Sequence, residues 1–522
     1  MEIIRTEGLT KKFGDFTAND NINLSIESGE IRAIVGENGA GKTTLMNMLY
    51  GLLKPTSGDI YIKGKKVELD TPANAISHGI GMVHQHFKLV PSLTVYENVL
   101  LGIEIYKKIK IKNREYNLPL IDKAEEKKRV QEIIDRYHFN LQADAKLKDL
   151  SIGEQQKVEI IKMLYRDVDI LILDEPTAVL TPQETDALFD TIRKMKSRGA
   201  TIIIITHKLQ EVMAISDSVT VIKSGKVVGS MKTSETSEVI LAQMMVGRDV
   251  LLKVDKKYKD FKSSPVVYEV KNLFAKTDDG REILKNISFQ IREGEILGIA
   301  GVEGNGQSEL IKVLTGLMES SSGQVILKDE EITNKWPKDL RKKGIAIIPS
   351  DRYVHGLCLD MKIQDNMIAG YHDSEDVCKY GLMKTKNIEK KRDELIEQFD
   401  IRLSDRTGKI SSLSGGNAQK IIIAREFTSN PQVLIASQPT RGVDIGAIEF
   451  IHKSILEFAE KKKAILLVSS DLSEVMNLSD RILVMYKGEI IGEVDAKGAK
   501  REDIGLLMAG IKPKGEGKYE NI

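Results

Sequence analysis

The run Gly36-Glu37-Asn38-Gly39-Ala40-Gly41-Lys42-Thr43-Thr44 matches the spacing G-x-x-x-x-G-K-[ST]. Glycines at 36, 39 and 41 let a backbone bend tightly and turn successive N–H groups toward phosphate oxygens. Lys42 would neutralise charge on the β- and γ-phosphates, and the Thr43 hydroxyl would reach Mg²⁺. The expected ligands are therefore ATP and Mg²⁺. A second segment, LILDEPT, carries an apolar run into two carboxylates. Asp174 is placed to hold the Mg²⁺ shell, and Glu175 to orient and polarise an attacking water. His207 follows a further apolar run and is expected to hydrogen-bond the γ-phosphate. Gln85, in GMVHQHFKL, is expected to bridge Mg²⁺ or water. His84 and His86 flank it and read as packing or loop residues, because no further metal ligands cluster nearby. Phe13 is a candidate to stack on adenine, with core packing as the alternative.

These residues need a scaffold of strands and helices. Glu30 to Val35 is a short apolar run leading into the glycine loop, and a helix is predicted from Lys42. Asp169 to Leu173 and Thr201 to Ile205 are continuous apolar runs, as expected for strands buried on both faces. Strands alternating with helices predict an α/β fold with a largely parallel sheet.

Composition bounds the rest. A chain of 522 residues is too long for one ordinary core. With 41% hydrophobic and 29% charged residues it is globular in composition, and a formal charge of +1 gives no reason to expect nucleic acid. Two cysteines, Cys358 and Cys378, make neither a metal site nor a disulfide framework and suggest a reducing compartment. The N-terminal residues carry no signal-peptide pattern, and no apolar run approaches the roughly 20 residues of a spanning helix. Any membrane connection is expected through a partner.

The chain also repeats itself. The loop at Gly36 returns at Gly301 as GVEGNGQS, LSIGEQQK with Ser151 returns as LSGGNAQK with Ser414, and LILDEPT returns as LIASQPT. Three landmarks in one order at nearly one offset predict a duplicated domain. The expected boundaries are a first domain at 1–247, a Lys- and Asp-rich linker at 248–265, a second domain at 266–510 and a polar, frayed tail at 511–522. The Lys-rich stretch from about Ile105 to Lys128 reads as surface loop and helix. The second copy is chemically muted. Lys42 is matched by Gln307, Asp174 by Ser437, Glu175 by Gln438, His207 by Ser470 and Gln85 by Ser350. A neutral amide cannot replace the lysine charge, and Gln438 cannot act as a base.

LSIGEQQ and LSGGN resemble the signature segment of ATP-binding-cassette ATPases, and nearly the whole chain shares that family's order of landmarks. The resemblance implies two tandem P-loop NTPase domains of ABC type, each with a parallel sheet core and a helical subdomain. It also implies a head-to-tail pairing. Lys42, Thr43, Gln85, Asp174, Glu175 and His207 would face Ser414, Gly415, Gly416 and Asn417 of the other domain, while the Gln307 loop faces Ser151 and Gly153. The fused, asymmetric pair is similar to the ATPase subunits of bacterial nucleoside and simple-sugar importers, with GMVHQHFKLVPSLTVYEN and QPTRGVDIGAIEFIHK closer to the nucleoside branch. The implied partners are transmembrane permease subunits and, through them, an extracellular solute-binding protein. The implied location is the cytoplasmic face of the membrane, as a peripheral subunit. The alternatives are a sugar importer for ribose or galactose and a soluble, ribosome-associated tandem ATPase.

Overall fold

The computed structural model describes residues 1–84, 88–111, 114–137, 139, 141–150, 152–177, 180–247, 256, 261, 263–277, 279–302, 304–403, 405–514 and 518–521. The chain divides into two compact units, Met1–Val250 and Leu251–Ile522. Most of the stretch expected as a linker lies outside the described residues. Lys256 within it is buried, with Nζ 2.7 Å from Asp480 Oδ1 and 2.6 Å from the Leu478 carbonyl.

Each unit is built on one six-stranded sheet. In the first, the strand order is Lys226–Lys232, Ser218–Lys223, Ile31–Val35, Thr201–Ile205, Ile170–Asp174, Ile80–Val83. All neighbours are parallel except the first pair. The second unit repeats this order with Glu489–Asp495, Arg481–Tyr486, Ile296–Ala300, Ala464–Val468, Val433–Ser437 and Ile345–Ile348. The predicted apolar runs are the central strands, and every residue of Ile170–Asp174 and Thr201–Ile205 is buried. Successive side chains leave a strand on opposite faces, so each run feeds two cores. Ile202 and Ile204 pack with Val99, Val130 and Val158 of the helices. Ile203 and Ile205 pack with Leu45 and Leu49 of the helix after the glycine loop.

A four-stranded antiparallel sheet covers that second core. It pairs Phe16–Glu27 with Glu2–Phe13, then Ser57–Ile62 and Lys65–Val67, and its counterpart in the second unit starts at Val266. Its strands read as period-two patterns, with Leu24 and Ile26 buried and Ser25 and Glu27 exposed. On the other face, helices Val95–Leu100, Lys123–Tyr137 and Ile152–Tyr165 form the helical subdomain. In the Lys-rich stretch read as surface loop and helix, the loop part is instead an antiparallel hairpin, Tyr106–Ile111 with Arg114–Ile121, and the expected helix follows from Lys123. Charge density hides the alternation in Tyr-Lys-Lys-Ile-Lys-Ile, which suits a strand. The tail read as frayed contains a second hairpin, Ile511–Lys514 with Lys518–Asn521. Among the described residues, no helix is long and apolar enough to cross a membrane.

Candidate active site

The glycine loop joins the buried strand Ile31–Val35 to helix Lys42–Leu49, so its N–H groups gather at a sheet edge and a helix N-terminus. Gly41 caps that helix at φ 100°, and a Cβ there would lie 2.5 Å from the Ala18 carbonyl oxygen. Both the left-handed backbone and the close approach require glycine. Gly36 is closed in as tightly, with the Ile222 carbonyl 2.3 Å from a hypothetical Cβ. Lys42 folds over the loop and donates to the carbonyls of Gly36 at 2.7 Å and Glu37 at 3.0 Å. Burial lowers its pKa, against the raising fields of Glu175, Asp174 and Glu37. Phe13 sits at the end of Glu2–Phe13 and is 48% exposed, which removes the core-packing alternative. Lys11 Nζ lies 5.2 Å from its ring centroid.

Asp174 ends its strand buried, and Glu175 follows at φ 48°, a conformation few non-glycine residues adopt. The turn is held by the Glu175 N–H donating to the Ile205 carbonyl at 2.9 Å. It brings Glu175 Oε1 to 3.0 Å from His207 Nδ1. The expectation for His207 was a phosphate contact; here its Nδ1 bonds the Glu175 carboxylate. The two acids are shifted in opposite directions. Burial and the charge of Glu175 push Asp174 up to about 6, against Lys42 and the Thr43 hydroxyl. Burial alone would raise Glu175 as well, but His207, Lys42 and Lys208 together hold it below its ordinary value.

Mg²⁺ fits this corner. A buried carboxylate coupled to a threonine hydroxyl is a hard oxygen donor set. Among the described residues no group of three or more His, Cys, Asp or Glu gathers for a metal. Mg²⁺ shared with phosphates needs none, since one carboxylate and one hydroxyl suffice beside phosphate and water oxygens. Gln85, expected at the same ion, lies outside the described residues, as do His86 and the signature Ser151. His84 packs edge-to-face on Tyr50 at 5.9 Å, and burial lowers its pKa, in keeping with the packing role expected.

Two supports were not foreseen from sequence. Thr177 Oγ1 donates to Glu211 at 2.6 Å, and Lys208 Nζ neutralises that buried acid at 3.2 Å, anchoring the turn after Glu175. Gln156 Nε2 donates to the Pro176 carbonyl, tying the signature helix to the same turn. The signal was present: Thr177, Gln156 and Glu211 recur in the second copy as Thr440, Gln419 and Glu474. There Thr440 meets Glu474 at 2.8 Å and Gln419 meets the Pro439 carbonyl at 2.9 Å, while His452 at 3.0 Å takes the place of the lysine.

The second unit copies the geometry without the charges. Gln438 adopts φ 47°, its N–H donates to the Val468 carbonyl at 2.7 Å, and its amide oxygen accepts from Ser470 Oγ at 3.1 Å. Gln307 lies under the loop so closely that a Cβ on Gly301 would be 2.0 Å from its Nε2. The signature is intact. Ser414 caps helix Gly415–Thr428, accepting from the Asn417 N–H, and Asn417 Nδ2 donates to the Ser414 hydroxyl at 3.0 Å. Gly416 lets this helix approach Asp444, whose Oδ2 would be 2.7 Å from an added Cβ. Ser350 precedes Arg352, whose guanidinium donates to the carbonyls of Arg441 and Gly442.

A phosphate loop on a mostly parallel sheet, a carboxylate pair at the end of the strand next but one and a signature helix define a P-loop ATPase of cassette type. The chain matches the ABC transporter family over residues 19–178 and 284–441, and it belongs to that family. It is 44% identical to the nucleoside import ATP-binding protein NupA of Lactococcus lactis subsp. cremoris, covering 97% of this chain and 98% of that protein. It is 44% identical to the guanosine import ATP-binding protein NupO of Bacillus subtilis, with 99% of each chain covered. It is 43% identical to the glucose import ATP-binding protein TsgD13 of Haloferax volcanii, with 97% and 96% covered. The chain is an ATP-binding ABC-type ATPase, with tandem cassette repeats.

Proposed function

We propose that this chain energises an importer for nucleosides and hydrolyses ATP at one site only, that of the first unit. The observation that carries this is the contrast between two matched turns. Glu175 meets His207 at 3.0 Å beside Lys42, whereas Gln438 meets Ser470 beside Gln307. In the productive site the loop N–H groups from Gly36 to Thr44 and Lys42 bind the triphosphate. Asp174 and Thr43 hold Mg²⁺, with Gln85 as a further ligand; when bound, the ion offsets phosphate charge. Glu175, kept ionised, accepts a hydrogen bond from the attacking water, and His207 orients Glu175 while its other nitrogen binds the γ-phosphate. Phe13 stacks on adenine. Ser414 to Asn417 close the site from the second unit, in the head-to-tail pairing that the family resemblance implies.

The switch that follows is closure on ATP and reopening after phosphate loss. The loop around Gln85 passes that motion to one permease. The loop after Ser350 meets the other, a reading supported by exposed Tyr353 and Val354 beside the Arg352 link to Gly442. Permease subunits, a solute-binding protein beyond them and a peripheral position on the cytoplasmic face belong to this reading. So do the boundaries at 247, 265 and 510. Nucleosides are favoured by the two relatives named for nucleoside and guanosine import; a sugar such as ribose or galactose is the second reading, favoured by the glucose relative.

Uptake of radiolabelled nucleosides and of ribose, in cells carrying wild-type chain, Lys42→Ala or no chain, tests the proposal. Nucleoside uptake should collapse in both defective strains while ribose uptake persists. Loss of ribose uptake instead would transfer the substrate to sugars. No change in either would defeat the transport reading and reopen the ribosome-associated alternative.

A further inference from the structure

Strand Phe16–Glu27 buries Ile22, Leu24 and Ile26, and Asn19 is buried with them. Its amide is only half used. Nδ2 donates to the Gly41 carbonyl at 3.1 Å, while Oδ1, equally buried, has no hydrogen-bond partner. That bond fixes the direction of the amide, because a carbonyl accepts and cannot donate. An acceptor taken out of water without a partner costs stability, and native cores rarely keep one.

The second unit serves as an internal control. In the first, the Gly225 N–H donates to the Ala40 carbonyl at 3.0 Å and the Leu45 N–H to the Gly41 carbonyl at 2.9 Å. Both bonds recur in the second, from Gly488 to Asn305 at 3.0 Å and from Leu310 to Gly306 at 2.9 Å. The strand is tied in alike as well, Asp20 N–H to the Gly225 carbonyl and Lys285 N–H to the Gly488 carbonyl, both at 2.8 Å. Asp20 is thus matched by Lys285, and Asn19 by Leu284, which is fully buried. Leucine has no donor to offer. The muted half keeps the backbone bonds on the loop and lacks the amide's.

We infer that Asn19 is a positioning residue for phosphate binding in the first unit, retained against stability. A trans peptide is planar, so its carbonyl and N–H point in opposite directions. The Gly41 carbonyl shares its peptide with the Lys42 N–H, the first of helix Lys42–Leu49. Gripping that carbonyl aims the N–H out of the helix N-terminus, where an anion is bound. Glycine leaves this peptide freer to turn than another residue would. Two donors on one carbonyl, from Leu45 and Asn19, restrain it more tightly than one. Gly306 has the same left-handed backbone, φ 101°, but its carbonyl lacks the side-chain donor.

Asn19→Leu, which installs the second unit's residue, tests this. The orphan acceptor goes, and the Gly41 carbonyl keeps the Leu45 N–H. Nucleotide-free protein should then unfold about 2–4 °C later. MgADP, titrated calorimetrically, should bind about tenfold more weakly. KM for MgATP should rise in parallel, with kcat within about threefold of wild type. Asn19→Ala should weaken MgADP equally, which assigns the effect to the lost N–H rather than to the bulk of leucine. Wild-type affinity in either variant would overturn the inference. So would a lower unfolding midpoint in Asn19→Leu, since the amide would then be an ordinary core contact. The inference rests on the first unit's being the productive site, which Lys42→Ala tests separately. Turnover lost in Lys42→Ala, with Asn19→Leu like wild type, strikes Asn19 alone; turnover kept in Lys42→Ala strikes the site itself.

Discussion

Asp174 and Glu175 are adjacent, yet their surroundings drive them in opposite directions, up to about 6 for the first and below its ordinary value for the second. Asp174 pays for its position in stability. Its ordinary value is 3.8, so as pH rises from about 4 to 6 the unfolded chain ionises first and the folded state loses ground. Above about 6 the loss is complete, on the order of 1–3 kcal/mol. Asp174→Asn is therefore expected to stabilise nucleotide-free protein at pH 7 and to flatten the pH 4–6 segment of its stability profile. Urea melts across that range measure it, and a variant less stable than wild type at pH 7 would refute it. Glu175 remains charged, as an acceptor for water must. Glu175→Gln should reduce ATP turnover by about 10²–10⁴-fold while nucleotide binding persists. Near-normal phosphate release from that variant would assign the activity to the second unit.

Helices and turns hold these residues through close approaches that tolerate little change. Gly416 and Gly153 occupy matched places in the two signature helices, and an added Cβ would meet Asp444 Oδ2 at 2.7 Å or Glu184 Oε1 at 2.4 Å. Those acids begin the following helices, Asp444 as an N-cap and Glu184 within a capping box on Thr181. Gly416→Ala is expected to cost about 1–3 kcal/mol of second-unit stability, read as an earlier transition on thermal unfolding. An unchanged transition would mean that Asp444 swings aside freely. At this scale sequence was only partly legible. Buried strands announced themselves as apolar runs because both faces are covered. The paired strands Tyr106–Ile111 and Arg114–Ile121 did not, since their alternation is masked by lysines.

In the whole molecule the second unit keeps the sheet order, the left-handed turn and the signature of the first while lacking its charges. One productive site per chain is the expected consequence. Vanadate should trap close to one ADP per chain, and Gln438→Glu should not raise that number, because Gln307 still leaves the triphosphate charge uncompensated. Trapping near two per chain would contradict the asymmetry.

What sequence determined was the inventory: which atoms are available to bind phosphate, hold Mg²⁺ and activate water, and in which half. Those follow from residue type at fixed spacing, and the internal repeat supplied the comparison. Tertiary structure decided how those atoms are poised. The φ of 48° at Glu175 depends on a carbonyl from the adjoining strand, and the rise of Asp174 depends first on its burial and then on the charge of Glu175. The anchoring of Thr177 to Glu211 joins residues 34 positions apart. Each is a non-local contact, and a linear pattern records the two partners without recording that they meet.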